Sequence, residues 1–213
     1  MNITIVCDVL GEANNGTTLA AMNLIGYLKE KGHQVTVLCP DQDKLGLPGY
    51  AVVPTWHLGI FNGYVASNGV SLAKPEDSVI SRAIRDADIV HVMLPFPLGR
   101  RAIYLAKQQG IPVSSGFHVM AENVSSHVFL QNCAPANRAI YAYFSKAYRQ
   151  VDAIHYPTQF LRDLYEKMYG KTNGYVISNG VNSTFQPRPA EKPQKMQDKF
   201  VILTTGRYSK EKG

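Results

Sequence analysis

Cysteine is scarce in this chain. There are three in 213 residues, Cys7, Cys39 and Cys133, with neither pairing nor metal-ligand spacing. That excludes a disulfide-stapled secreted scaffold and points to structural thiols in a reducing cytoplasm. The sequons at Asn15, Asn123 and Asn182 are then incidental. Long hydrophobic runs are also missing: no stretch approaches the roughly 20 apolar residues of a membrane-spanning helix. The opening "MNITIVCDVLG" has no basic leader and meets Asp8 early, so it is expected to be a strand and not a signal peptide. Several chemical signatures are absent as well. Without HExxH or a spaced His/Cys/carboxylate cluster, no metal site is expected. Without G-x-S-x-G there is no hydrolase elbow. Without a zinc-finger, RNP-like or helix-turn-helix pattern, nucleic acid is set aside as a partner.

What is present is ordinary in amount and uneven in placement. Apolar residues make up 45% and charged residues 18%, as in globular proteins. The net charge of +6 is concentrated late in the chain. Residues 1–99 carry 6 basic and 9 acidic groups, residues 100–187 carry 9 and 4, and residues 188–213 carry 7 and 3. A basic second half attracts phosphates or an anionic membrane surface without choosing between them.

Periodicity sets the fold class. "ITIVC" (3–7) and "VTVLC" (35–39) are β-branched runs about thirty residues apart. The segment between them places Leu19, Met22, Leu24, Ile25 and Leu28 on one helical stripe, with Gly32 as C-cap. This is a βαβ unit, and the pattern recurs. Strands are expected at 88–93, 111–116, 153–157 and 175–180, helices at 98–109, 136–150 and 158–169, and weaker strands at 50–53 and 60–65. The reading is α/β: a doubly wound, mostly parallel, Rossmann-like sheet of six or seven strands over residues 1–184. A proline-rich, charged linker follows at 185–199. "FVIL" (200–203) then reads as a buried strand and "TTGRYSKEKG" as its turn, so 200–213 is expected to be the stub of a second, truncated domain.

Candidate site residues gather at strand ends. "GEANNGTT" (11–18) nearly matches a P-loop, but Thr17 stands where lysine should be, and the loop also fails G-x-G-x-x-G. It remains either a turn with an N-cap or a loop whose backbone N–H groups receive an oxygen-rich group. In "VSSGFHVMAEN" (113–123), His118 lies at or just past the carboxyl edge of a strand, and a structural role competes with a site role. "ANRAIYAYFSKAYRQ" (136–150) combines Tyr141, Tyr143, Phe144 and Tyr148 with Arg138, Lys146 and Arg149, which suits either a core stripe or a membrane interface. Arg207 and Lys212 follow the last strand, where a guanidinium and an ammonium beside a helix start would bind a diphosphate.

In order, "LKEKGHQVTVL", "DADIVHVMLP", "QGIPVSSGFH", "AIHYPTQFLRDLY", "VISNGVNSTFQP" and "FVILTTGRYSKEKG" resemble the retaining GT-B glycosyltransferases of the group 1 superfamily, also called family four. The resemblance implies the N-terminal, acceptor-side half of a GT-B fold. The donor would be a nucleotide diphosphate sugar and the acceptor a glycan or lipid-linked molecule. No cofactor or metal would be needed, and the place would be the cytoplasm, peripheral to the inner face of an anionic membrane. It further implies a role in capsule, polysaccharide or glycolipid synthesis, with retention through front-face attack on an oxocarbenium-like state. Asn15, Gly16 and Thr17 would line the phosphate and acceptor loop. His118 would approach the transferred sugar, Asn179 and Gly180 would line the cleft, and Arg207 and Lys212 would neutralise the leaving diphosphate. Two positions depart from the family pattern: Asn15-Gly16 stands where two glycines are frequent, and Asn182 where an acid is. The family's paired glutamates would lie beyond residue 213, so these residues alone are expected to be inactive. The alternatives are a sugar-nucleotide 2-epimerase of the same architecture and a non-catalytic glycan- or lipid-binding subunit.

Overall fold

The computed structural model describes residues 1–8, 10, 16–57, 59, 72–126, 129–181, 186–187 and 189–203. Contacts divide the chain into two units, Met1–Gly180 and Val181–Gly213.

The first unit is built on a seven-stranded sheet. Its strands are β1 (Asn2–Val6), β2 (Gln34–Cys39), β3 (Tyr50–Val52), β4 (Ile89–Val92), β5 (Val113–Gly116), β6 (Ala153–Tyr156) and β7 (Gly174–Val176). They lie in the order β3-β2-β1-β4-β5-β6-β7, and every neighbouring pair is parallel. The helices are α1 (Gly16–Glu30), α2 (Asp77–Ile84), α3 (Pro97–Gln108), α4 (Ala121–Ser126), α5 (Ala134–Tyr148) and α6 (Gln159–Tyr169). Strand order reverses between β1 and β4, and in open α/β sheets the crevice at the carboxyl ends of such a switch point receives ligands.

Alternation along the strands separates two cores. Ile3, Ile5, Cys7, Val35, Val37 and Cys39 face α1, whose Ala20, Ala21 and Ile25 complete that layer. Val6, Leu38, Val90 and Val92 face the other way, against Ile80 and Ile84 of α2 and Leu98, Ala102 and Ala106 of α3. Arg101 of α3 clamps Asp77 at the start of α2 with two hydrogen bonds. A third, aromatic layer of Phe117, Tyr141, Phe144, Tyr148, Tyr156 and Tyr165 joins α5 and α6 to β6.

The strands at 3–7, 35–39, 50–53, 88–93 and 153–157 form within one residue or so of their expected bounds, and the segment 60–65 lies outside the described residues. At the helical stripe the structure differs. Leu24, Ile25 and Leu28 pack inward, but Leu19 and Met22 are about half exposed. Thr18 and Ala21 take the positions against the sheet, where small side chains let α1 approach closely. α1 ends in a Schellman turn, with Gly32 N–H donating to Lys29 O and His33 N–H to Leu28 O. Helices α2 and α4 went unanticipated. The expected strand at 175–180 is shorter, ending at Val176 and leaving Ile177–Gly180 exposed.

In the second unit a 3-10 turn spans Gln194–Met196, and Lys192 Nζ donates to Lys199 O over 3.0 Å. Phe200–Leu203, expected as a buried strand, forms none, and its apolar side chains are exposed. A strand requires a hydrogen-bonding neighbour. Among the described residues, none is paired with 200–203.

Candidate functional site

At the switch point, the carboxyl end of β1 leads to Asp8, which is buried at 3% exposure. Its Oδ1 accepts from Leu98 N–H and its Oδ2 from Gly99 N–H, each at 2.8 Å. Those donors are orphan N–H groups in the first turn of α3, which has no capping side chain of its own. Asp8 is therefore the cap of α3, supplied from ninety residues away. A Cβ at Gly99 would stand 2.1 Å from Leu94 O and 2.6 Å from Val92 Cγ1, so only glycine lets the helix start lie this close. Burial pushes the Asp8 carboxyl up to about 7, while the two N–H groups pull it down. Nothing in the local sequence around Asp8 gave this contact away, because both partners sit in another element.

Gly16 and Thr17 open α1 beside the same strand end. A Cβ at Gly16 would meet nothing within 4 Å among the described residues. Asn15 lies outside the described residues, as do Arg207 and Lys212.

Three histidines come together on adjacent strands. His91 is on β4, His118 lies two residues past β5, and His155 is on β6 in register with Gly116. His91 Nδ1 shares a 2.8 Å hydrogen bond with Ser114 Oγ on the neighbouring strand. The His118 ring folds back over Gly116, so that a Cβ there would stand 2.1 Å from its Nε2 and 2.2 Å from its Cδ2. Its edge meets the His155 ring at 72°, with centroids 5.3 Å apart. His155 Nε2 in turn lies 2.5 Å from Ile177 O, just past β7. Thus the His118 ring packs between Gly116 of β5 and His155 of β6, and His155 in turn meets the segment leading to Asn179 and Gly180. Asn179 and Gly180 themselves are exposed.

The electrostatics of this cluster follow from burial. Both ring nitrogens of His118, and Nε2 of His91, are buried without a hydrogen-bond partner among the described residues. Desolvation pushes His118 down to about 3, with His91 and His155 acting in the same direction, and pushes His91 down to about 4, aided by His155. His118 is therefore neutral at pH 7, with one N–H and one lone pair that a small movement of the ring would have to uncover. It can orient a hydroxyl-rich ligand but has no proton to give as an acid near neutrality. Sequence reasoning singled out His118 and placed His91 inside a strand. It missed His155 and the role of Gly116, although a glycine and a histidine two residues apart at a strand end were the available signal.

On α5 the aromatic residues divide. Tyr141, Phe144 and Tyr148 are core, while Tyr143 reaches the surface beneath the Arg100 guanidinium, 4.2 Å from the ring centroid. Among the described residues, no group of three His, Cys, Asp or Glu could hold a metal ion, and no helix is long and apolar enough to cross a membrane.

The family model described as Glycosyltransferase Family 4 matches residues 14–185. The chain belongs to that family. Of its residues, 71% align at 25% identity with a GDP-mannose-dependent alpha-mannosyltransferase from Mycolicibacterium smegmatis, covering 40% of that protein. A Listeria monocytogenes protein solved as a "putative UDP-N-acetylglucosamine 2-epimerase" shares the fold, with a TM-score of 0.51 at 12% identity over 82% of this chain and 44% of that one. An alpha-glucosyltransferase in complex with UDP and DNA superposes with a TM-score of 0.49 at 14% identity, over 85% of this chain and 43% of that one. The chain thus spans less than half the length of these proteins. The Rossmann-like α/β sheet and the GT-B glycosyltransferase family expected from the motifs are both found.

Proposed function

We propose that this family 4 chain forms the acceptor-side half of a retaining, metal-independent glycosyltransferase. The enzyme moves a sugar from a nucleotide diphosphate sugar to a glycan or lipid-linked acceptor in polysaccharide or glycolipid synthesis. The observation that carries the reading is His118: a neutral imidazole, its nitrogens unpartnered among the described residues, held at the carboxyl edge of a family 4 sheet. Such a group orients sugar hydroxyls without adding charge beside a developing oxocarbenium ion, which a protonated imidazole would repel.

Charge accumulates on the departing diphosphate, and Arg207 and Lys212 are assigned to it; Asn15, Gly16 and Thr17 are assigned to the phosphate and acceptor loop. The diphosphate itself takes the proton of the attacking hydroxyl. Residues 200–213 belong in this proposal to the entrance of a donor-binding domain, so residues 1–213 alone do not turn over. An apolar recess of about 360 Å³, lined by Phe96, Val124, Ile140 and Tyr143 among others, suits the lipid part of an acceptor. Arg138 and Lys146 on α5, with Arg149 just past its end, would hold the protein against the anionic inner face of a membrane.

The test is a nucleotide-sugar screen on the complete protein, beginning with GDP-mannose because the mycobacterial relative bears that name. Products are analysed with and without lipid-linked acceptors. Acceptor-dependent product of retained anomeric configuration supports the proposal. A changed nucleotide sugar formed without acceptor makes the protein an epimerase instead.

A further inference from the structure

At the opposite, amino edge of the sheet, where β6 and β7 begin, lies a second recess of about 250 Å³. It is bounded by the end of α5, the last turns of α6 and the segment 171–173. Three features make it more than a gap in packing. Tyr165 is a core residue at 1% exposure that lines this cavity, and its hydroxyl makes no hydrogen bond among the described residues and is not sealed off in the core. The neighbouring buried phenols are satisfied, Tyr148 by Gly116 O and Tyr156 by Thr172 Oγ1. The Tyr165 hydroxyl is thus the one of the three left free to donate into the recess.

Arg149 and Lys171 also line the recess, and neither joins an ion pair among the described residues. Arg149 lies close enough to the hydroxyls of Tyr165 and Tyr169 to oppose the upward push that burial gives both phenols. No carboxylate is among the lining residues. The nearest acids are committed elsewhere, Glu166 to Arg162 and Thr172, and Asp152 to Lys107 and Val113 N–H. The cavity therefore offers a guanidinium, an ammonium and a phenolic donor, with no anion to balance them. At this size it falls below the ~300 Å³ at which pockets for whole drug-sized ligands begin.

We propose that this recess binds a single phosphate group, either inorganic phosphate or the phosphate of a larger molecule. Arg149 supplies the planar fork, Lys171 a second charge, and Tyr165 a phenolic O–H donor at the inner wall of the recess.

The probe is inorganic phosphate, titrated into the 213-residue chain in phosphate-free buffer and followed by calorimetry and by the amide and tyrosine-ring resonances. One saturable site is expected, with shifts concentrated at Tyr165, Tyr169 and 171–173. Tyr165→Phe keeps the ring and removes the donor, and should weaken binding several-fold. Arg149→Ala and Lys171→Glu should each weaken it by about tenfold or more. Lys171 is exposed, so its variant keeps the aromatic core intact if Tyr165→Phe disturbs folding. Arg207→Ala should leave this binding unchanged, which separates the recess from the proposed diphosphate turn. Vesicles of phosphatidylcholine with and without phosphatidylglycerol identify the source. Binding to anionic vesicles that free phosphate displaces and Lys171→Glu abolishes assigns a lipid headgroup; phosphate binding without vesicle binding assigns a soluble ligand. Absence of saturable phosphate binding, or binding indifferent to all three recess substitutions, overturns the proposal.

Discussion

His118 and Asp8 pull the acid stability of this protein in opposite directions. The His118 imidazole falls from its ordinary 6.5 to about 3, so between those values the unfolded chain binds the extra proton and acidification destabilises the fold. His91 adds the same effect down to about 4. Asp8 rises from 3.8 to about 7, so between those values the folded chain holds the extra proton and stability falls as pH rises. Asp8→Asn removes the second effect and leaves the first. Urea unfolding at pH 5 and pH 7.5 should show the variant losing more stability on acidification than the parent protein; equal losses would rule out the buried carboxyl as a titrating group. Asp8→Ala also strips two N–H groups of their acceptor and should cost about 0.5–2 kcal/mol at pH 5, the range for lost helix caps. At Gly116 the prediction is kinetic and structural together. Gly116→Ala needs the His118 ring to leave its place, so turnover should fall as in His118→Ala, and the His118 ring resonances should move in the same variant.

At the scale of elements, α1 separates what a hydrophobic pattern reveals from what packing decides. Five apolar residues share a stripe in the sequence, yet Leu19 and Met22 remain about half exposed while Ala21 and Ile25 are buried. Leu19→Ala should change stability by no more than about 0.5 kcal/mol, whereas Ile25→Ala should cost about 2–4 kcal/mol. Thermal or denaturant melts of the two variants check this directly, and similar losses would place the sheet-facing stripe elsewhere. The strands and long helices were legible because β-branched runs and 3.6-residue periodicity are local properties. α2 was not, because in "DSVISRAI" only Ile80 and Ile84 are fully buried, Val79 and Ala83 are half-buried, and the other four residues are polar. The histidine cluster was legible only in part, since His118 stands at a recognisable strand end while His91 and His155 join it through strand order. The capping of α3 by Asp8 depends on the reversal between β1 and β4, which local sequence does not contain.

For the whole molecule, the sheet divides its labour between its edges. The carboxyl edge holds the neutral imidazole, the start of α1 and the buried carboxyl that anchors α3. The amino edge holds the cationic recess beside β6 and β7. A glycosyltransferase that must orient an uncharged sugar while a diphosphate departs gains from keeping His118 without charge, and the surrounding imidazoles and burial do this without a carboxylate partner. Its pH–rate profile should therefore show no inflection from His118 between pH 5 and 8. The most direct test is sugar transfer by the complete protein, with and without His118→Ala, from GDP-mannose and other nucleotide sugars to a lipid-linked acceptor. The account predicts acceptor-dependent product of retained configuration, with kcat falling by about 10–100-fold in the variant while donor KM stays nearly constant. Transfer from no nucleotide sugar, or transfer indifferent to His118, would contradict it.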